Sequence, residues 1–86
     1  MSALPLLTLL ALADSGGAAP LLEKGERLFR QGDTSGALAA FDEAAKADPQ
    51  DPRPYYLKGV AFEKKGDVPA AVAAYKQAIA RRGELL

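Results

Sequence analysis

The hydrophobic residues of the chain follow the period of an α-helix between Pro20 and Arg82. In this stretch apolar side chains recur every three or four positions, with charged side chains between them. Such a pattern predicts amphipathic helices, each with one buried face. The pairs Gly32-Asp33 and Gly66-Asp67 interrupt it, because glycine readily ends a helix in the left-handed conformation and aspartate accepts the free amides of the next helix. We therefore predict four helices, at about 20–30, 35–47, 53–65 and 69–82.

The two halves of this stretch form an internal sequence repeat with a spacing of 34 residues. Nine positions are identical in the two copies: Pro20 and Pro54, Lys24 and Lys58, Gly25 and Gly59, Gly32 and Gly66, Asp33 and Asp67, Ala37 and Ala71, Ala39 and Ala73, Ala40 and Ala74, and Ala44 and Ala78. Other positions keep their apolar character, as where Phe41 corresponds to Tyr75. A fixed period of about 20 to 50 residues is typical of proteins built from stacked structural repeats.

Each copy resembles a tetratricopeptide repeat, which has a Gly and an aromatic residue or Leu in its first helix, and Ala, an aromatic residue and Ala in its second. These positions are filled by Gly25, Leu28, Ala37, Phe41 and Ala44, followed by Pro49, in the first copy, and by Gly59, Phe62, Ala71, Tyr75 and Ala78 in the second. The sequence departs from the family pattern at Leu21, where an aromatic residue is common, and at Gly83, where the closing Pro would stand.

The resemblance implies an all-α fold, in which antiparallel helix pairs stack as a short right-handed solenoid. Residues 20–53 would form the first repeat, 54–82 the second and 83–86 a tail, with the array ending or fraying at Gly83. In this family the first helices of successive repeats line an inner surface where partners bind. The corresponding residues here are Leu22, Glu26, Phe29, Arg30, Arg53, Tyr56, Val60, Glu63 and Lys64.

This inner face combines apolar residues with charges of both signs, which suits an extended or helical peptide. We therefore predict a non-catalytic protein-interaction module; the alternative is a solvated face, because two repeats form only a short groove. Some family members grip the acidic tails of heat-shock chaperones with a clamp of Lys, Asn and Arg side chains. The clamp is not expected here, because Leu22, Glu26 and Leu57 occupy the positions of its Lys and two Asn.

The first thirteen residues are almost wholly apolar, and three interpretations of them stay open: a signal peptide, a covering helix and a disordered tail. Ala11-Leu12-Ala13 before Asp14 resembles the cleavage site of a secretory signal peptide, although no Lys or Arg precedes the apolar run. Alternatively, residues 1–13 form a helix that covers an apolar surface, joined by a flexible linker at 14–19. The first interpretation predicts an exported or periplasmic protein and the second a cytoplasmic one. A separate alternative for the function is a membrane-surface or exported assembly factor that is anchored by this apolar segment.

Self-association is a further prediction, because a pair of repeats leaves one apolar face without a following helix. The residues expected on that open face are Val72, Tyr75 and Ile79. The apolar N-terminal segment, with Leu6, Leu9 and Leu10, would cover it within one chain or across a homodimer.

Composition removes several other classes of function. Lys and Arg number 11 and Asp and Glu number 11, so no global charge attracts nucleic acid or an anionic membrane. The absence of Cys and His leaves only carboxylate, lysine and hydroxyl chemistry for an enzyme, the weakest alternative. Asp51 is interpreted as a cap for the third helix rather than as a metal ligand with Asp48, because no third oxygen ligand is suitably spaced. No metal or other cofactor is predicted.

Overall fold

The computed structural model describes the backbone of residues 17–85 and the side chains of residues 17–81. The described chain forms four helices: α1 Ala19–Arg30, α2 Thr34–Ala47, α3 Arg53–Lys65 and α4 Val68–Leu85. This confirms the predicted all-α helical repeat, and the bounds of α3 are those expected from the sequence. The apolar segment 1–13 and most of the linker lie outside the described residues, so every interpretation of that segment stays a prediction.

The same turn joins the two helices of each repeat. Gly32 and Gly66 have φ angles of +88° and +85°, the left-handed conformation predicted for them. The amides of Asp33 and Asp67 each donate to a carbonyl five residues earlier at 2.9 Å. Each aspartate side chain then accepts the main-chain amide three residues later, at 2.9 Å in the first repeat and 3.2 Å in the second. Turns this short make the paired helices antiparallel neighbours.

The last helix is longer than the sequence pattern predicts. We expected α4 to end at Arg82 and residues 83–86 to form a tail, but the helix continues through Gly83 to Leu85. A glycine inside a helix costs about 1 kcal/mol relative to alanine, whereas the proline found at this position in the family would clash with the preceding turn. With glycine rather than proline at position 83, the helix can continue past Arg82.

Within each repeat, a glycine of the first helix packs against an aromatic ring of the second. The ring of Phe41 lies against Gly25, and the ring of Tyr75 lies against Gly59. A β-carbon at either glycine would overlap the ring carbons of its neighbour. The repeated Gly and aromatic positions are therefore the contact that brings the two helices of each pair close together.

The second repeat packs on the first through α3. A buried cluster of the first repeat contains Ala18, Leu22, Ala37, Phe41 and Ala44, and Ala61 of α3 completes it. Pro54 at the start of α3 is also fully buried. Above the cluster, the Lys58 ammonium forms an ion pair with Asp42 of α2 at 2.6 Å. The junction between repeats thus consists of a small apolar core with one ion pair at its edge.

Arg81 links the far part of α4 to the loop between the repeats. Its Nε donates to the Pro49 carbonyl oxygen at 2.6 Å, and its guanidinium carbon lies 3.9 Å from the centre of the Tyr55 ring. Tyr55 is half-buried under this contact. Arg81 therefore fixes α4 against the segment that positions α3.

Candidate partner-binding surfaces

A groove between α1 and α3 contains two adjoining cavities of about 280 and 150 Å³, which share Glu26 and Leu57. We call it the inner groove. Its lining residues are Ala19, Leu22, Glu23, Glu26, Phe29, Arg30, Phe41, Arg53, Tyr56, Leu57 and Val60. The structure thus brings together seven of the nine residues that the sequence analysis assigned to the inner face.

The floor of the inner groove is apolar and its rim is charged. Phe29, Leu57 and Val60 are half-buried, so part of each side chain faces the groove. Glu26 and Arg30 are exposed above them and supply charges of opposite sign. Leu22 differs from these residues because only 4% of it is exposed, so it belongs to the core and offers little surface to a partner.

Arg53 stands at one end of the inner groove in a fixed position. Its Nε lies 3.0 and 3.1 Å from the two carboxylate oxygens of Asp51, and its Nη2 lies 2.6 Å from Oδ2. These hydrogen bonds hold the pKa of Asp51 below its usual value, despite the opposing effect of partial burial. Asp51 also accepts the main-chain amide of Arg53 at 3.0 Å, which confirms its predicted role at the start of α3.

Two predicted inner-face residues, Glu63 and Lys64, are not among those that line the inner groove. Both are exposed near the end of α3. The Glu63 carboxylate accepts a hydrogen bond from the Tyr75 hydroxyl of α4. This hydrogen bond, with a smaller effect of desolvation, raises the pKa of Tyr75 to about 12. Glu63 therefore joins the two helices of the second repeat.

Leu57 is a groove residue that the sequence analysis did not assign to the binding face. It lines both cavities of the inner groove and packs against the buried cluster of the first repeat. The helical spacing of the sequence does predict this position for Leu57, because it lies four residues after Arg53 and three before Val60, on the same face of α3.

A second groove, of about 530 Å³, lies between α3 and α4. We call it the end groove, and it is lined by Pro52, Arg53, Tyr56, Tyr75, Ala78 and Ile79. The Tyr56 and Tyr75 rings form one wall, with centroids 5.7 Å apart and planes tilted by 47°. Tyr56, which we expected on the inner surface, is exposed and lies at the boundary between the end groove and the inner groove.

The residues predicted to mediate self-association divide into three groups. Val72 and Ile79 are exposed on α4, as an open face requires. Tyr75 is half-buried between Gly59 and Tyr56. The N-terminal residues Leu6, Leu9 and Leu10 lie outside the described residues. Self-association itself stays a prediction.

In the part of the chain that the structure describes, no three acidic side chains come together in a way that would hold a metal ion. The helices of this part are also too short or too polar to cross a membrane.

Two helix pairs with the same turn and the same glycine-to-aromatic contact define an α-helical repeat protein. A family model described as tetratricopeptide repeat matches residues 22–84, more than two thirds of the chain. The chain therefore belongs to the tetratricopeptide repeat family, whose members generally act as protein-protein interaction modules. A comparison with curated proteins finds no match.

Proposed function

We propose that this protein is a non-catalytic module that binds a segment of another protein in the inner groove. The observation that carries the proposal is a solvent-open apolar floor between charged rims, in a family that generally binds proteins. Protein interfaces have the same arrangement of an apolar centre surrounded by polar groups.

The dimensions of the inner groove suit a short segment. Cavities of about 280 and 150 Å³ are at or below the lower end of the range for ligand pockets. They accommodate a few apolar side chains over Phe29, Leu57 and Val60. The Glu26 and Arg30 side chains are placed to meet charges of opposite sign at the rim. The preferred ligand is therefore a segment in which apolar residues are flanked by a basic and an acidic residue.

The same charges argue against a free C-terminal carboxylate as the main anchor. Glu26 lies in the part of the groove that both cavities share, where its carboxylate would repel another carboxylate. Leu22, at another position of the family's clamp, is buried and apolar. We therefore expect this protein to bind internal protein segments and to ignore the acidic tails of chaperones.

The test is selection of peptides from a displayed library of random sequences on the full 86-residue chain. Selected peptides are then measured against Glu26→Arg and against a matched control, Glu43→Arg. Both glutamates are exposed, on α1 and α2 respectively, and both substitutions change the net charge equally. We expect Glu26→Arg to weaken binding about tenfold, equivalent to about 1.4 kcal/mol, and Glu43→Arg to leave it unchanged. Failure to enrich any peptide, or an equal effect of the two substitutions, would refute the proposal.

A further inference from the structure

The end groove is the second-repeat copy of a surface that is covered in the first repeat. Its six lining residues lie 34 positions after Ala18, Ala19, Leu22, Phe41, Ala44 and Ala45. Four of these positions, Ala18, Leu22, Phe41 and Ala44, belong to the buried cluster that Ala61 of α3 completes, and Leu57 packs against it. The structure therefore contains a template for a helix bound to the end groove.

Exposure of equivalent residues shows how much surface such a helix would cover. Leu22 is 4% exposed beneath α3, whereas its counterpart Tyr56 is 55% exposed. Ala45 is 9% exposed, whereas its counterpart Ile79 is 67% exposed. Among the described residues, no helix occupies the position beside α4 that α3 occupies beside α2. The end groove is thus an exposed apolar surface on which a helix can pack, as α3 packs on the first repeat.

The charged residue beside the packing surface has opposite sign in the two repeats. In the first repeat Asp42 pairs with Lys58 of the covering helix at 2.6 Å. The residue 34 positions after Asp42 is Lys76, which is exposed on α4. A helix that lay on the end groove as α3 lies on α2 would therefore need a carboxylate at the position of Lys58.

The outer face of α1 does not meet this requirement, so a second copy stacked head to tail is disfavoured. The residues of α3 that meet the first repeat include Leu57, Lys58 and Ala61, and their counterparts on α1 are Glu23, Lys24 and Arg27. Glutamate and arginine would replace the apolar residues at the contact. Lys24 would also face Lys76, which places like charges together.

We propose that the end groove binds an amphipathic α-helix of another protein, seated as α3 is seated on the first repeat. This helix carries a small residue at the position of Ala61 and a carboxylate at the position of Lys58, paired with Lys76. The inference goes beyond the inner groove, because it concerns a different surface and a helical ligand. Since Tyr56 lies in both grooves, Lys76 and Ile79 are the residues that test it separately.

The probe is the covering helix itself, as two synthetic peptides of residues 49–67, one native and one with Lys58→Glu. A hydrocarbon staple between positions 60 and 64, one helical turn apart, stabilises both as helices and leaves Leu57, Lys58 or its replacement, and Ala61 in place. Each peptide is titrated into the isotope-labelled full chain, and amide chemical shifts give the site and the affinity. We expect the Lys58→Glu peptide to bind about two- to fivefold more tightly than the native peptide, the range for an exposed ion pair.

Three variants of the protein complete the experiment. Lys76→Glu should reverse the preference between the two peptides, and Lys46→Glu, which changes an exposed lysine on α2, should leave it unchanged. Ile79→Glu should abolish binding of both peptides. All three side chains are exposed, and circular dichroism confirms that each variant folds.

The proposal is overturned if neither peptide shifts the resonances of residues around Ile79, or if the Lys76→Glu protein keeps the wild-type preference. It is also overturned if sedimentation equilibrium shows a wild-type dimer that Ile79→Glu dissociates, because a second copy would then be the occupant. Glu26→Arg should not affect the Lys58→Glu peptide. Its effect on library peptides therefore tests the inner groove independently.

Discussion

Replacing Gly25 by alanine would place a methyl group in overlap with ring carbons of Phe41, and the equivalent change at Gly59 would place one in overlap with ring carbons of Tyr75. The two overlaps are almost identical, but the rings differ in their freedom to move. Phe41 is 1% exposed beneath α3, whereas Tyr75 is half-buried beside the open end groove. We therefore expect the first substitution to destabilise the protein and the second to be tolerated.

The magnitude follows from two opposing effects. Overpacking a close-packed core costs about 1–3 kcal/mol, and alanine improves on glycine in a helix by about 1 kcal/mol. Because Phe41 is enclosed, the cost of overpacking at Gly25 should fall in the upper part of this range, about 2–3 kcal/mol, which leaves a net loss of about 1–2 kcal/mol. At Gly59 the Tyr75 ring can move toward the end groove, which relieves the overlap but weakens its hydrogen bond to Glu63, so the net loss should stay below about 1 kcal/mol.

Thermal unfolding of the full chain, followed by circular dichroism, measures both effects. A loss of 1 kcal/mol lowers the melting temperature of a domain this small by about 4–8 °C. As a control, Phe41→Leu should cost less in the Gly25→Ala protein than in wild type, because the smaller side chain relieves the overlap. Equal melting temperatures for the two alanine variants, or a stabilised Gly25→Ala protein, would refute the packing argument.

Three further changes probe other contacts. Arg81→Ala should lower stability by about 1–2 kcal/mol in urea denaturation, through the loss of its stacking on Tyr55 and its hydrogen bond to a loop carbonyl, and Arg81→Lys should recover only part of this. The hydrogen bond to Glu63 raises the pKa of Tyr75 to about 12, so the neutral Tyr75 side chain stabilises the fold below pH 10, and this stabilisation is lost between about pH 10 and 12. Glu63→Gln should shift the titration of Tyr75 to lower pH in NMR spectra, and an unchanged titration would contradict the assigned cause. Asp33→Ala should cost about 0.5–2 kcal/mol, and Asp33→Asn, which keeps a capping oxygen, much less.

Local signals in the sequence account for most of the correct fold prediction. The left-handed turns at Gly32 and Gly66 depend on backbone freedom that only glycine offers at little cost, so their positions were visible without a structure. The repeated Gly and aromatic positions identified the repeat, but the structure was needed to show that they contact each other within each helix pair. The end of α4 was harder to predict, because Gly83 can either end a helix or continue it.

Helical periodicity predicted most of the residues that line the inner groove, and their binding of a partner stays a prediction. The predicted inner face differs from the structure where packing between helices decides whether a side chain is buried or bonded to a neighbouring helix. Leu22 is drawn into the core beneath α3, and Glu63 is engaged by the Tyr75 hydroxyl from α4. The opposite charges of Asp42 and Lys76 were readable in the repeat alignment, but their meaning depends on the ion pair of Lys58.

The most direct test of the central claim is a chemical-shift map of a library-selected peptide on the isotope-labelled wild-type chain. The account predicts that the largest shifts fall on inner-groove residues such as Phe29, Leu57 and Val60, with little change at exposed α2 residues such as Ala39 and Lys46. Shifts centred on that α2 surface, or a selected peptide that perturbs no residue between α1 and α3, would contradict it.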